Sequence, residues 1–129
     1  MQIQNLLFAT GCIGAAHAQG FMRSCLNVQL VDWNRELRAK CGGGNDNLCT
    51  SIYLDYCIAN ADGNLAGRYK GAFGVSCGGC TLNGSQLECT CFGPEGEPQR
   101  RTSINIDDII SNRNGKLECY GIDLDQTPC

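Results

Sequence analysis

Nearly the same eight residues occur twice in this chain, fifty-two positions apart. IANADGNL at 58–65 returns as ISNRNGKL at 110–117. A second pair keeps the same spacing, because Phe-x-x-Ser-Cys occurs at both 21–25 and 73–77. So many matches in the same order indicate a tandem duplication of a unit of about fifty residues.

Two further pairs of matches lie between these blocks. Leu-x-x-x-Cys ends a segment at 37–41 and again at 87–91, and Ile-x-Leu/Ile-Asp occurs at 52–55 and 104–107. The duplication therefore covers most of the chain. The predicted division is repeat one at 21–67, repeat two at 73–119 and a tail at 120–129, all within one domain at 19–129.

Each repeat has the pattern of short β-strands. Alternating apolar residues in NVQL, IYL, CTL and INI fit strands, and LNGSQL at 82–87 carries a strong hairpin signal. The Asn-x-Asp/Asn-Gly motif fits a tight turn, because Asn and Asp bond nearby backbone and Gly accepts a positive φ. Asp55 and Asp107 stand where they would cap single helical turns. We predict an all-β, pseudo-symmetric fold of hairpins and single helical turns.

The first eighteen residues resemble a secretory signal peptide. An apolar stretch ends in Ala16-His17-Ala18, an A-x-A cleavage pattern. Cleavage would remove Cys12 and leave ten cysteines, an even and dense set typical of disulfides in secreted chains. We therefore expect a secreted, extracellular protein.

Cleavage would also remove His17, the only histidine. A mature chain without histidine has no Ser-His-Asp or Cys-His mechanism and no imidazole ligand for zinc. Glycosidases use two flanking carboxylates, but no acidic pair here has spacing that argues for shared placement. We predict no enzyme activity, no cofactor and no metal. The acidic residues considered were Asp55, Asp62, Asp107, Asp108 and Glu118.

Charge and hydropathy limit the classes of partner that the chain can bind. The net charge is −3 and the only basic cluster is Arg100-Arg101, which is not the basic stripe that nucleic-acid binding needs. No apolar run is long enough to span a membrane. We expect neither nucleic-acid binding nor membrane insertion.

Taken together, the doubled motifs resemble the cyanovirin-N homology family. Its pattern is F-x-x-S/T-C, L-x-x-x-C, I-x-L-D/N and I-x-N-x-D-G-x-L, written twice, and the likeness runs from about Phe21 to Leu117. The resemblance implies an all-β body in which each half mixes segments of both repeats. It also implies a small lectin without metal or catalysis, since the founder binds α1-2-linked mannose on high-mannose glycans. Domain-swapped dimers occur in the family, so a monomer or a swapped dimer is expected.

The family template also implies part of the disulfide framework. It pairs Cys25 with Cys41 and Cys77 with Cys91, one bridge in each hairpin. Six further cysteines are additions to the template, and sequence alone does not fix their connectivity. Their nearest pairings are Cys49–Cys57, Cys80–Cys89 and Cys119–Cys129.

Two bridges in the second hairpin conflict with a regular ladder. Positions 77 and 80 would point to opposite faces, while 89 and 91 share one. A β-bulge at Gly78-Gly79 would remove the conflict. Because 77–80 also spells C-x-x-C, a redox dithiol or a zinc ribbon is the alternative, although a secreted chain without a βαβ pattern favours structural disulfides.

The resemblance implies two sugar sites, and the first is the more polar. It combines residues before the first hairpin, the Gly-rich loop after it and the Asn-x-Asn turn of repeat two. Such a loop lets a sugar ring approach the backbone, and Arg and Asn supply directional donors and acceptors. Asn114 departs from the Asp that the family often has. The first-site residues are Gly20, Arg23, Ser24, Gly42, Gly43, Gly44, Asn45, Asn112, Arg113 and Asn114.

The second site has lost polar character, because Ala59, Ala72 and Val75 stand where family lectins often carry polar side chains. Phe92 could stack on a sugar or belong to the core. At both sites the same residues would also serve as plain turns. The second-site residues are Asn60, Asp62, Ser76, Phe92 and Gly93.

Two hairpin turns carry further candidates. Trp33 in VDWN fits either a sugar platform or a cover over a neighbouring apolar patch. Asn83-Gly84-Ser85 is an N-glycosylation sequon at a predicted hairpin tip, or a plain turn. The sequence thus predicts a secreted lectin for mannose-containing glycans. The alternative is a secreted interaction or effector protein on the same scaffold with degenerate sugar sites.

Overall fold

The computed structural model describes residues 20–33 and 35–129, and the predicted signal peptide at 1–18 lies outside them. The described residues form short strands and single-turn 3₁₀ helices, and none of their helices is long and apolar enough to cross a membrane. The 3₁₀ turns are Phe21–Arg23, Leu54–Tyr56, Phe73–Val75 and Ile106–Asp108. The strands are β1 (Cys25–Val31), β2 (Glu36–Cys41), β3 (Leu48–Tyr53), β4 (Ile58–Ala61), β5 (Asn64–Gly67), β6 (Cys77–Asn83), β7 (Gln86–Cys91), β8 (Arg100–Asn105), β9 (Ser111–Arg113), β10 (Lys116–Cys119), β11 (Ile122–Asp123) and β12 (Thr127–Pro128).

Within each sheet, most neighbouring strands are also consecutive in the sequence. Strands β1, β2 and β3 are neighbours in one antiparallel sheet, which β12 extends, and β6, β7 and β8 form its counterpart. Strands β4 and β5 make a hairpin, and β9 and β10 make the equivalent hairpin with β11 at its edge. The predicted all-β fold with single helical turns is confirmed.

The two repeats interleave. Strand β10 of repeat two packs on β3 of repeat one, and β5 packs on β8. The Leu117 amide donates to Thr50 Oγ1 at 2.9 Å, and the equivalent Leu65 amide donates to Thr102 Oγ1 at 3.1 Å. Because each hairpin is fastened to the sheet of the other repeat, the halves form one body, as the resemblance implies.

The core is built from repeat-equivalent pairs of apolar side chains. Phe21 and Phe73 are the first residues of equivalent 3₁₀ turns in the two repeats, and neither is exposed. Burial of such large side chains is worth about 1.5–3 kcal/mol each, so the doubled motif is chiefly a packing requirement. The other fully buried pairs are Leu37 with Leu87, Leu54 with Ile106, and Ile58 with Ile110.

Asp55 and Asp107 cap helical turns of the opposite repeat. The Met22 amide donates to Asp107 Oδ1 at 3.0 Å, and the Gly74 amide donates to Asp55 Oδ1 at 2.8 Å. The prediction that each Asp caps its own turn is therefore wrong. Each lies inside its own 3₁₀ turn, and Asn105 Oδ1 accepts from the Asp107 amide instead.

The duplicated motif that opens the sequence forms the same turn twice. Asp62 and Gly63 have φ of 55° and 95°, and Asn114 and Gly115 have 54° and 89°. Two consecutive positive φ values define a type I′ turn, which matches the twist of the flanking strands. The predicted tight turn between two strands is confirmed in both copies.

Both long hairpins carry a β-bulge. In the second, Gly78 faces Thr90 and Thr81 faces Glu88, so two residues oppose one, and Gly79 has a φ of 60°. The bulge thus lies at 79–80, one position later than predicted. The first hairpin has the same bulge with Asn27 at a φ of 55°, so it belongs to the fold and not to the additional bridge.

All ten described cysteines are paired, so Cys77 and Cys80 hold neither an open dithiol nor a zinc ligand set. Three pairings agree with the sequence analysis, and two do not. The predicted Cys49–Cys57 and Cys119–Cys129 are wrong, because the interleaved fold brings distant cysteines together. The bridges are Cys25–Cys41, Cys77–Cys91, Cys80–Cys89, Cys49–Cys129 and Cys57–Cys119.

Candidate functional site

Asn112 joins the three segments of the first predicted sugar site. Its Nδ2 donates to Ser24 Oγ at 2.8 Å and to the Gly42 carbonyl at 2.9 Å. Its Oδ1 accepts from the Gly115 amide at 2.8 Å, which also closes the turn. The structure therefore brings these segments together, but the Asn112 amide is occupied by the protein itself.

Asn60 does the same in the second predicted site. Its Nδ2 donates to Ser76 Oγ and to the Phe92 carbonyl, each at 2.9 Å, and its Oδ1 accepts from the Gly63 amide at 2.7 Å. Every partner is the repeat equivalent of an Asn112 partner. The two Asn side chains thus fasten the repeats together at two equivalent places.

The serine hydroxyl at each site remains able to donate. Ser76 Oγ accepts from Asn60 Nδ2, and a hydroxyl that accepts one bond still has its own proton to give. The same holds for Thr90, because Thr90 Oγ1 accepts from Arg101 Nη1 at 3.0 Å. In repeat two, these fixed hydroxyls are oriented donors for a polar ligand.

The loop after each long hairpin packs closely on the type I′ turn. A Cβ placed on Gly44 would lie 2.5 Å from the Asn114 carbonyl oxygen, so the first-site loop and turn are in contact. At the second site, a Cβ on Gly63 of the repeat-one turn would lie 3.1 Å from Gly93 Cα and 2.9 Å from Arg100 Nε, both in repeat two. The space between loop and turn is therefore too small for a ligand ring at either site.

An open groove of about 400 Å³ lies at the end of the 3₁₀ turn Phe73–Val75 in repeat two. Val75 and Phe92 are 82% and 58% exposed, so Phe92 is not part of the core. This volume and the mix of apolar and polar side chains suit a small ligand. We call this the second-repeat groove, and its lining residues are Val75, Ser76, Cys77, Gly78, Gly79, Thr90, Phe92 and Gln99.

The second-repeat groove is uncharged along its described lining. The nearby Arg101 donates to the Gly79 carbonyl at 2.7 Å and lies 3.5 Å from a Glu88 oxygen, so its charge is compensated. An uncharged groove with an exposed ring binds through stacking and hydrogen bonds. Among the described residues, no cluster of three His, Cys, Asp or Glu side chains could hold a metal.

The remaining predicted site residues lie around these features. Gly20 donates to the Ile110 carbonyl and lies against Asp107, on the capping side of the first 3₁₀ turn. Arg23, Arg113 and Asn114 are exposed, and Asp62 is exposed in its turn. Gly43 and Asn45 lie in the exposed loop beside Gly44.

Sequence reasoning missed several groove residues. Thr90 carries a detectable signal, because it alternates with buried Cys89 and Cys91 and so faces outward. Gln99 lies in the loop before β8 and is not part of any duplicated motif, so the sequence does not mark it as a site residue. Gly78 and Gly79 were predicted as a bulge but not as part of a binding surface.

Trp33 lies in the turn at the tip of the first hairpin. It is 92% exposed, and it follows Asp32 with both residues at positive φ. It covers no apolar patch, so that interpretation is wrong. Asn83 is exposed at the end of β6, where a two-residue Gly84–Ser85 turn leads into β7.

The fold and its paired sites define a class of small β-proteins made from two interleaved repeats. The family model described as the CVNH domain matches residues 21–118, so this chain belongs to the CVNH family. A search of curated proteins found no match.

Solved structures of CVNH proteins have the same fold. A CVNH protein from T. borchii is 28% identical with a TM-score of 0.65, covering 78% of this chain and 99% of its own. One from Gibberella zeae is 25% identical with a TM-score of 0.64, covering 79% and 98%. A variant of MoCVNH3 in complex with (N-GlcNAc)4 is 20% identical with a TM-score of 0.70, covering 79% and 97%.

Proposed function

We propose that this protein is a secreted lectin that binds mannose-containing glycans in the second-repeat groove, without catalysis and without a metal. The observation that carries the proposal is the exposed Phe92 ring beside Val75 on an uncharged groove. Membership of the CVNH family supports carbohydrate binding. Five disulfides support an oxidising, extracellular location.

The groove offers the two kinds of contact that a sugar ring needs. The apolar face of the ring can stack on Phe92, while the Ser76 and Thr90 hydroxyls donate to ring hydroxyls at its edge. Asn60 and Arg101 hold these hydroxyls in place. Rigid, pre-oriented donors lower the ordering cost of binding.

A glycan array followed by calorimetry tests this function. Phe92→Ala is expected to lower affinity for the bound glycan about tenfold, as loss of an aromatic anchor does. Tyr69→Ala removes another exposed ring, which is 55% exposed and is not among the residues that line the groove, and should leave affinity unchanged. The array should include high-mannose glycans and GlcNAc oligomers, because the MoCVNH3 variant is in complex with (N-GlcNAc)4. Failure to bind any glycan, or unchanged binding by Phe92→Ala, would contradict the proposal.

A protein-interaction function is the second candidate. It is favoured by the apolar Val75 and Phe92 pair, which a protein partner could also cover. An empty glycan array, together with an interaction partner lost in both Val75→Ser and Phe92→Ala, would favour it over the lectin.

A further inference from the structure

The segment that follows repeat two is held against the first predicted sugar site. We call residues 120–129 the closing segment, and it lies beyond the 21–118 match to the family model. Its strand β11 pairs with β10, and its strand β12 pairs with β3. Cys129 is bridged to Cys49 in β3, so the segment is fixed at both ends.

The side-chain amide of Gln126 forms hydrogen bonds to both the Gly-rich loop and the repeat-two turn. Its Nε2 donates to the Asn45 carbonyl at 3.3 Å and to the Gly115 carbonyl at 3.4 Å. Its Oε1 accepts from the Asn45 amide at 3.3 Å. A Cβ on Gly44 would lie only 3.1 Å from this oxygen, so the amide fills the space beside the loop.

These are the groups that a sugar would use there. One backbone donor and two backbone acceptors match the hydroxyls of a hexose, and the Gln126 amide satisfies all three. Repeat one also has Gly42 where repeat two has Phe92. A ligand at the first site would therefore depend on the loop and turn alone, without an aromatic ring to stack on.

We propose that the closing segment occupies the first sugar site and makes this chain a single-site lectin, an inference that rests on the proposed function of the second-repeat groove. A tethered group competes at an effective concentration of about millimolar or more. A sugar that binds only through hydrogen bonds of its hydroxyl groups, without ring stacking, binds weakly. The tethered Gln126 amide therefore excludes such a sugar while both ends of the segment are fixed.

Two variants test the proposal. Gln126→Ala removes the amide and keeps every disulfide, and Cys49→Ser with Cys129→Ser releases the segment while the other four bridges hold the fold. Gln86→Ala, an exposed glutamine on β7, is the matched control. The probes are α1-2-linked mannobiose and a GlcNAc tetramer, followed by ¹⁵N amide shifts and calorimetric stoichiometry.

The wild type and Gln86→Ala are expected to leave the amides of Gly43, Gly44, Asn45 and Gly115 unshifted. The two test variants should shift them and bind an additional glycan per chain. The proposal is overturned if the wild type already shifts these amides, or if neither variant gains binding with either probe. Binding gained at the first site without binding at the second-repeat groove would support occlusion of the first site by the closing segment, but it would reject the proposed groove and with it the single-site lectin.

Discussion

The Asn112 side chain of repeat two donates a 2.8 Å hydrogen bond to the Ser24 hydroxyl of repeat one. Asn60 and Ser76 make the repeat-equivalent contact at 2.9 Å. These bonds explain why the Asn of the turn motif occurs in both copies. Each Asn closes its own turn and fastens the opposite repeat, so its first role is structural.

Asn112→Ala should lower the free energy of unfolding by about 2–3 kcal/mol, because three hydrogen bonds are lost and the partly buried Gly115 amide is left without a partner. Asn64→Ala replaces an exposed strand residue and should change it by less than about 0.5 kcal/mol. Urea unfolding of both variants measures the difference. Equal stabilities would show that Asn112 is not a structural residue.

Asp107→Ala should lower the free energy of unfolding by about 1 kcal/mol, the usual effect of removing a helix cap. Because the cap lies on the turn of the other repeat, hydrogen exchange should rise at the Met22 amide, 85 positions away in sequence. Asp108→Ala is the control, since Asp108 is exposed in the same turn. Faster exchange confined to the Asp107 turn would contradict the cross-repeat cap.

Gly79→Ala should cost about 1–2 kcal/mol, because its φ of 60° is a left-handed conformation that alanine disfavours. Space is not the cause, since the nearest atom to an added Cβ is 3.7 Å away. Gly79→Asn should cost less, as Asn27 holds the same position in repeat one. At Gly78 the backbone is outside the left-handed region and an added Cβ would meet open space, so Gly78→Ala should change the free energy of unfolding by less than about 0.5 kcal/mol. Thermal unfolding of the three variants would measure these differences.

Cys80→Val with Cys89→Ala should fold, because Val28 and Ala39 occupy the equivalent positions in the first hairpin. The Cys80–Cys89 disulfide closes a loop with a sequence separation of 9, so its loss should lower the free energy of unfolding by about 2–3 kcal/mol. Removing Cys57–Cys119, with a separation of 62, should cost about 4 kcal/mol. Urea midpoints in the opposite order would show that loop length does not govern these bridges.

The repeat made the fold predictable, because each duplicated residue has a packing or turn role that can be recognised locally. Phe21, Phe73 and the type I′ turns follow from such local patterns. The predicted bulge is one residue too early. Its position depends on which residue adopts positive φ, and from sequence either Gly78 or Gly79 could do so. Only the strand register of 77–83 against 86–91 decides it.

The additional bridges and the groove depended on tertiary structure. Cys49–Cys129 and Cys57–Cys119 span 80 and 62 positions, and a preference for short loops selects the wrong partners once the repeats interleave. Gln126 carries no signal in the repeat because it lies beyond it. The groove beside Phe92 also could not be read from sequence, since an aromatic residue after a half-buried strand fits core and surface equally well.

The contact between sugar and Phe92 is the central claim, and intermolecular nuclear Overhauser effects measure it directly. With the bound glycan in excess, cross-peaks are predicted from the sugar ring protons to the Phe92 ring and the Val75 methyl groups. Cross-peaks to the Gly42–Asn45 loop in place of these, or none to Phe92 while the glycan is bound, would contradict the account.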